Sequence, residues 1–338
     1  MRAYEIQPGS NSLDGVKLVN RPDPEAGPGQ VIVRPRAWTL NFRDLSTALG
    51  RYPQRLERPI VPLSDGAGEV IKLGPGVTRW KTGDRVASCF FQGWIDGRFR
   101  PEFAATALGG GTCDGMLAEQ VALSAEGLVR IPDGLDFAQA ASLTCAGLTA
   151  WQALFVRGRL APGEWVLALG TGGVSVFALQ FAKAAGARVV ITSSSDEKLA
   201  KAKVLGADAT VNYKKYPEWE AEVVKATGGQ GVDHVTEVGG AGTIGRSLAA
   251  LRHGGNIGVI GNLTGREASL NLSAVLGKLA NVNGIYVGSR AMYEAMNAAV
   301  TANKIKPVID KTFGFDQALD AYRYQQSGAH FGKVAIAI

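Results

Sequence analysis

At 338 residues the chain is long enough for two domains, each burying its own core. Its 36 Lys and Arg against 30 Asp and Glu leave a net charge of +6, spread along the chain. No basic block interleaved with aromatics points to nucleic acid. Three cysteines, Cys89, Cys113 and Cys145, are too few and too scattered for a disulfide framework, so a reducing cytoplasm is expected. The start, MRAYEIQPGS, lacks the apolar core of a signal peptide. No apolar run reaches the roughly 18 residues that a membrane span needs, so the sequence predicts a soluble intracellular protein.

The first third predicts a β-rich region. Short strands are expected at 1–7, 17–21, 31–38, 68–73, 84–88 and 116–123, separated by turns such as PDPEAGPG and LGPG. Between them, residues 89–110 gather Phe90, Phe91, Trp94, Phe99 and Phe103. Such a loop either walls an apolar substrate cleft or packs on itself.

From about Leu148 helices and strands alternate. Strands are predicted near 165–169, 188–192, 208–212, 233–238, 256–261 and 282–287. Helices are predicted near 173–185, 196–205, 217–227, 243–251 and 273–280, which makes a six-stranded doubly wound parallel sheet. The tail adds helices at 290–302 and 316–326 and a last strand at 333–338.

The most informative stretch is GEWVLALGTGGVSVFALQFAKAAGARVVITSSSDEK, 163–198. An apolar strand leads into Gly170-Thr171-Gly172-Gly173, and from Val174 apolar residues recur at 174, 177, 178, 181, 182 and 185 as one helical stripe. Glycines at a strand-to-helix turn let the backbone approach a pyrophosphate, which the free N–H groups of the helix start then bind. The third glycine of G-x-G-x-x-G is Ser175 here, so the signal rests on the complete β-turn-α-β context. An NAD site usually places Asp or Glu at the end of the second strand, whereas this chain has Thr192-Ser193-Ser194-Ser195 followed by Lys198. An acid there would repel a 2′-phosphate by about 4 kcal/mol at roughly 4 Å. Hydroxyls and a lysine favour NADP instead, with NAD as the alternative. Ser194 and Glu197 could also form a capping box for the next helix.

The order of elements and several motifs resemble the medium-chain dehydrogenase/reductase superfamily, the zinc alcohol dehydrogenases and their zinc-free quinone-oxidoreductase relatives. The motifs are GAGEVIKLGPGVTRWKTGDRV (66–86), ASLTCAGLTAW (141–151), the glycine turn and HFGKVAIAI (330–338). The resemblance implies a GroES-like β-rich catalytic domain over 1–146, a Rossmann domain over 147–287 and a C-terminal return over 288–338. It implies further cofactor contacts from Thr149, from Tyr213 beside the 2′-phosphate, and from the turns at Gly239, Gly261-Asn262-Leu263 and Val287. It also implies that Lys333 approaches the pyrophosphate.

Zinc members hold the metal with Cys, His and Cys, and the matching positions here are Asn41, Asp65 and Cys145. An amide, one carboxylate and one thiol with no imidazole make a poor zinc set, so no metal is expected. The remaining histidines do not help: His234 lies in a predicted strand, His253 in a predicted turn and His330 in the tail. Without a Lewis acid the charge that develops on oxygen needs hydrogen-bond donors. The resemblance offers Tyr52 of GRYP, after Leu40-Asn41-Phe42-Arg43-Asp44, with Asn41 polarising the oxygen and Asp65 as a base or relay. Arg43 and Asp44 are expected to pair or to orient the loop. The implied function is zinc-independent hydride transfer between NADP and a small carbonyl, alcohol, quinone or enone. Alternatives are an NADPH-dependent enoyl thioester reductase and a non-catalytic nucleotide-binding relative. A homodimer or dimer of dimers is expected through the edge strand near 283–287.

Overall fold

The computed structural model describes residues 1–338, which form two compact units: Met1–Leu148 with Gly288–Ile338, and Thr149–Val287. No helix in either is long and apolar enough to cross a membrane.

The first unit is a GroES-like sheet domain. A two-stranded antiparallel ribbon pairs Arg2–Ile6 with Val16–Asn20. The main sheet runs in the order Ile309–Gly314, Lys333–Ala337, Gln30–Thr39, Asp65–Leu73, Arg85–Ser88, Leu128–Arg130, and Val121–Ser124 also pairs with Gln30–Thr39. Its long central strand, QVIVRPRAWT, contains a proline that cannot donate to the ladder, and the pairing with Asp65–Leu73 shifts register between Pro35 and Ala37. The core below it gathers Trp38, Leu40, Ile60, Leu63, Val86, Tyr322 and Ile336. The antiparallel register sets Thr39 opposite both Asp65 and Ala335. Directly opposed residues share a face. Continuing that register two residues past Thr39 brings Asn41 level with Lys333.

Of the helical stretches that have no counterpart in the expected elements, two position the polar centre. Phe42–Ala48 follows the central strand at once, and the Asp44 carboxylate accepts the Asn41 backbone N–H at 2.7 Å. Phe137–Ser142 is capped reciprocally by Asp136 and Gln139 and passes into a π-helical turn, Leu143–Gly147, that carries Cys145. Such turns are frequent at functional sites. Residues 89–110 pack on themselves. Trp94 and Phe99 lie 5.0 Å apart, Phe91 and Phe99 5.3 Å, and Phe90, Phe91, Trp94 and Phe103 are buried. Their rings fill a small core, which is the self-packing alternative for this loop.

The second unit is a parallel six-stranded sheet. Its order is Ala209–Asn212, Arg188–Ser193, Trp165–Ala168, Val232–Glu237, Leu251–Val259, Asn281–Gly284. Five helices intervene: Gly173–Ala184, Asp196–Val204, Trp219–Ala226, Ile244–Ala250 and Leu272–Gly277. The strand order reverses beside Trp165–Ala168, and ligands of open α/β sheets bind at the carboxyl ends of such a switch point. Gly173–Ala184 buries Val176 and Leu179 as well as the expected stripe of Phe177, Ala178, Phe181 and Ala182. The fifth strand starts at Leu251, so His253 lies within it and not in a turn. The sixth ends at Gly284, short of the expected 287.

Candidate functional site

In the second unit the glycine turn is open. Gly170 adopts φ +72°, a conformation that suits glycine, and its N–H donates to Thr192 Oγ1 at 3.1 Å. A Cβ at Gly170 or Gly172 would meet no atom within 4 Å, so bare backbone borders empty space at the start of the 12-residue helix Gly173–Ala184. Thr171 is buried, and Gly173 and Val174 form the half-buried first turn. Ser175 donates its hydroxyl to the Leu169 carbonyl at 2.5 Å, tying helix to strand where the fingerprint has its third glycine. This cradle fits a dinucleotide pyrophosphate.

At the end of the next strand Ser193 is buried and its Oγ accepts the Ser195 N–H at 3.2 Å. Ser195, not Ser194, caps the helix Asp196–Val204 by accepting the Lys198 N–H, so Glu197 completes no capping box. The half-buried Ser194 hydroxyl makes no hydrogen bond within the chain. Tyr213, 41% exposed, donates its N–H to the Ser193 carbonyl at 3.1 Å, which places Ser193, Ser194 and Tyr213 together. Lys198 stands in the first turn of the same helix. An acid does follow, at Asp196, but Lys215 and Asn212 hold it at 2.7 Å each and draw its carboxyl below the usual range.

The later turns are organised by a residue that the sequence reading missed. Glu237 is fully buried and accepts from Gly239 N at 2.8 Å, Gly240 N at 2.9 Å, Thr243 Oγ1 at 2.6 Å and Ser247 Oγ. The Gly239 N–H is therefore committed to Glu237. A glutamate ending a strand before two glycines was the available signal. A Cβ at Gly261 would lie 2.3 Å from the Val238 carbonyl oxygen, while Asn262 and Leu263 are exposed. Val287 is buried at φ +53°, a strained geometry for a β-branched side chain. Thr149 is buried within the helical segment Leu148–Trp151. A separate cavity of about 480 Å³ lined by Glu164, Asp233, His234 and Asn281 opens at the amino ends of the strands, so it is not the dinucleotide cradle. There His234 Nε2 meets Glu164 at 2.8 Å, while Nδ1 is buried without a partner, so the ring is satisfied on one side only.

In the first unit a buried charge network occupies the expected catalytic positions. Lys333, 3% exposed, donates from Nζ to the Leu40 carbonyl at 2.6 Å, to Asn41 Oδ1 at 2.6 Å and to Asp65 Oδ2 at 3.2 Å. Asp65 also accepts from Thr39 Oγ1 at 2.9 Å and Ser64 Oγ at 2.8 Å. Leu63, in the left-handed region at φ +68°, sets the approach of Ser64 and Asp65. All three protons of Lys333 are engaged inside the unit, which corrects its reading as a pyrophosphate contact. Asp65 is fully buried with both oxygens engaged, so of its two expected roles, base or relay, the geometry does not leave it a free base. Asn41 Nδ2 is buried and has no partner.

Arg43 lies 3.8 Å from the Asp44 carboxylate and sets its guanidinium over the rings of Phe90 at 4.4 Å and Tyr52 at 5.7 Å. Tyr52 is half-buried, and its hydroxyl makes no hydrogen bond to Asn41 or Asp65.

Zinc does not fit these donors. Asn41 Oδ1 and Asp65 Oδ2 already face an ammonium. Burial, with the Asp65 carboxylate adding to it, pushes the Cys145 thiol up to about 12. Nowhere do three His, Cys, Asp or Glu side chains form a metal-holding group.

The sequence matches the models of the alcohol dehydrogenase GroES-like domain over 27–133 and of the zinc-binding dehydrogenase over 173–302. A zinc-type alcohol dehydrogenase-like protein of Schizosaccharomyces pombe is 47% identical over 317 residues, 92% of this chain and 91% of the relative. The structure of an NAD-dependent alcohol dehydrogenase is 33% identical with a TM-score of 0.90, covering 100% of both chains. A mycobacterial protein solved in complex with NADPH is 25% identical with a TM-score of 0.83, again over 100% of both. With the glycine cradle, the two sheets and these likenesses together, the chain belongs to the medium-chain dehydrogenase/reductase superfamily, as an oxidoreductase that works with a nicotinamide cofactor.

Proposed function

We propose that the chain is a cytoplasmic, zinc-independent oxidoreductase that prefers NADP(H) and moves hydride between nicotinamide and a small carbonyl, alcohol or conjugated acceptor. The observation that carries this reading is a polar site with hydrogen-bond donors and a resident ammonium where metal ligands would stand. The bound cofactor supplies the hydride. Gly170, Gly172 and the helix start hold its pyrophosphate, and Ser194, Tyr213 and Lys198 receive the 2′-phosphate. Asn41 and Tyr52 polarise the substrate oxygen. A quinone or enone spreads the incoming charge and makes smaller demands on those donors than a saturated ketone does.

The experiment is a panel of carbonyl, quinone and enoyl thioester acceptors, followed by NADPH and NADH absorbance with and without chelator, beside elemental analysis. Turnover with NADPH, indifferent to chelator, supports the reading. About one zinc per chain with chelator-sensitive activity overturns it. Turnover confined to enoyl thioesters would move the substrate class, and cofactor binding without turnover would leave a nucleotide-binding relative.

The same reading makes the protein a homodimer or dimer of dimers. The edge strand Asn281–Gly284 exposes Val282 at 42%, beside the exposed leucines Leu272, Leu276 and Leu279. An unpaired edge with apolar neighbours invites a second copy. Light scattering that gives 35.5 kDa at micromolar protein would count against this assembly.

A further inference from the structure

Among the side chains that Lys333 itself touches, one group is left unsatisfied. An ammonium has three donors and no acceptor, so the Asn41 amide must turn Oδ1 toward it. That choice fixes which way Nδ2 points. Among Thr39, Asn41, Ser64, Asp65 and Lys333, only Asn41 Nδ2 is buried without a partner. Buried donors are nearly always met, so this one calls for an acceptor that the chain does not supply, a water or a substrate oxygen. A cation on Oδ1 also draws electrons from the amide, which strengthens the Nδ2–H donor.

We propose that Lys333 is a positioning residue: a built-in cation, neutralised by Asp65, that locks the Asn41 amide so that Nδ2–H meets the substrate oxygen. This rests on the hydride-transfer reading above and adds a residue to it. As hydride reaches the carbonyl carbon, the C=O π pair moves onto oxygen, and the carbonyl is reduced as the nicotinamide is oxidised. The new negative charge accepts the Asn41 Nδ2–H bond, and a proton from the Tyr52 phenol or from water completes the alcohol. A preorganised donor of this kind acts where charge develops, as an oxyanion hole does. The ammonium itself never touches substrate, because its three protons remain on Leu40, Asn41 and Asp65.

The test compares wild type with Lys333→Met and with the double variant Asp65→Asn/Lys333→Met. Lys333→Met alone strands the Asp65 carboxylate and is expected to lower the unfolding midpoint. Removing both charges is expected to restore it. In that restored double variant, kcat for the best carbonyl acceptor should fall by about 100-fold or more, with little change in cofactor Kd. A double variant that regains both stability and kcat shows that the pair is only structural and overturns the proposal.

A second readout needs no substrate. The Asn41 side-chain amide signals in a ¹⁵N–¹H spectrum, assigned by their loss in Asn41→Asp, should move upfield in Lys333→Met and in the double variant. Unchanged signals would sink the proposal even if a carbonyl substrate is found. Shifted signals with no turnover by the wild type would leave the positioning intact and remove the hydride-transfer reading instead. Lys333→Arg guards against misfolding. It keeps the charge, but its planar fork cannot serve the same three acceptors, so kcat should fall while the midpoint drops less than in Lys333→Met.

Discussion

The two units solve the problem of holding a ligand in opposite ways. In the second, the cradle is open: bare glycine backbone faces space, and the Ser194 hydroxyl has no partner within the chain. In the first, the polar centre is closed, with Lys333 and Asp65 saturated by their neighbours and the Asn41 amide donor left over. An open site costs the free protein little and depends on its ligand for its bonds. A closed site stakes stability on its own charges, because a buried ion pair is costly to break. Substitutions in the closed network should therefore register first in folding, and those in the open cradle first in binding.

The largest effect is expected from Asp65→Asn. It leaves the Lys333 ammonium buried beside neutral partners, and breaking a buried pair from one side costs about 3–5 kcal/mol. Urea unfolding of the full chain measures it. A loss under about 1 kcal/mol would show that water reaches the ammonium and that the network is not closed.

Next comes a pH effect at the rim of the same network. Burial raises Asp44 from 3.8 to about 6, with the neighbouring Asp65 carboxylate adding to the rise and Arg43 opposing it. A carboxyl raised in the folded state binds its proton more tightly there. That contribution is present at low pH and is lost as pH climbs from near 4 through 6. Wild type should thus lose on the order of 3 kcal/mol relative to Asp44→Asn across that window. Parallel stability curves for the two proteins would mean that Asp44 titrates normally.

The open cradle was legible because its parts are contiguous. Strand, glycines, helix and second strand occupy one stretch of sequence, and each obeys a local rule of period or turn chemistry. The closed network was legible only in its members. Asn41, Asp65 and Lys333 each stood out, but nothing local says that an antiparallel register sets residue 333 level with residue 41. Lys333 therefore read as a phosphate contact and Asp65 as a base, when each satisfies the other. The helix Phe42–Ala48 was missed for a related reason: Asn41 read as a substrate contact and Asp44 as a partner of Arg43 before they read as a cap. Glu237 escaped notice because its partners are backbone N–H groups, which leave no mark in composition.

A smaller, binding-only effect belongs to the cofactor's ribose end. Lys198→Ala should remove one charge-assisted contact, roughly 1.5–3 kcal/mol or about 10- to 150-fold, from NADPH and leave NADH nearly untouched. Ser194→Asp should go further, since it adds repulsion to a 2′-phosphate while offering ribose hydroxyls an acceptor. It suits the test better than Ser193→Asp, because Ser193 is buried and already accepts the Ser195 N–H. Titrations in which both variants keep the wild-type ratio of NADPH to NADH affinity would remove the NADP preference.

The smallest stability effect, and the cleanest separation of folding from binding, is expected at two glycines one residue apart. Gly170 has φ +72°, so Gly170→Ala must hold an L side chain in the left-handed region at a cost of about 1–2 kcal/mol. Gly172 has φ −78° and ψ −178°, extended backbone that any residue adopts, and a Cβ there meets nothing within 4 Å. Gly172→Ala should therefore leave the unfolding midpoint where it is. The new methyl group nonetheless projects into the space that a pyrophosphate must enter, and dinucleotide affinity should fall about tenfold or more, some 1.4 kcal/mol. Calorimetric titration with either dinucleotide, beside thermal unfolding without it, reads the two quantities independently. If Gly172→Ala binds as wild type does, the pyrophosphate does not pass over this turn, and the cradle serves only to connect strand and helix.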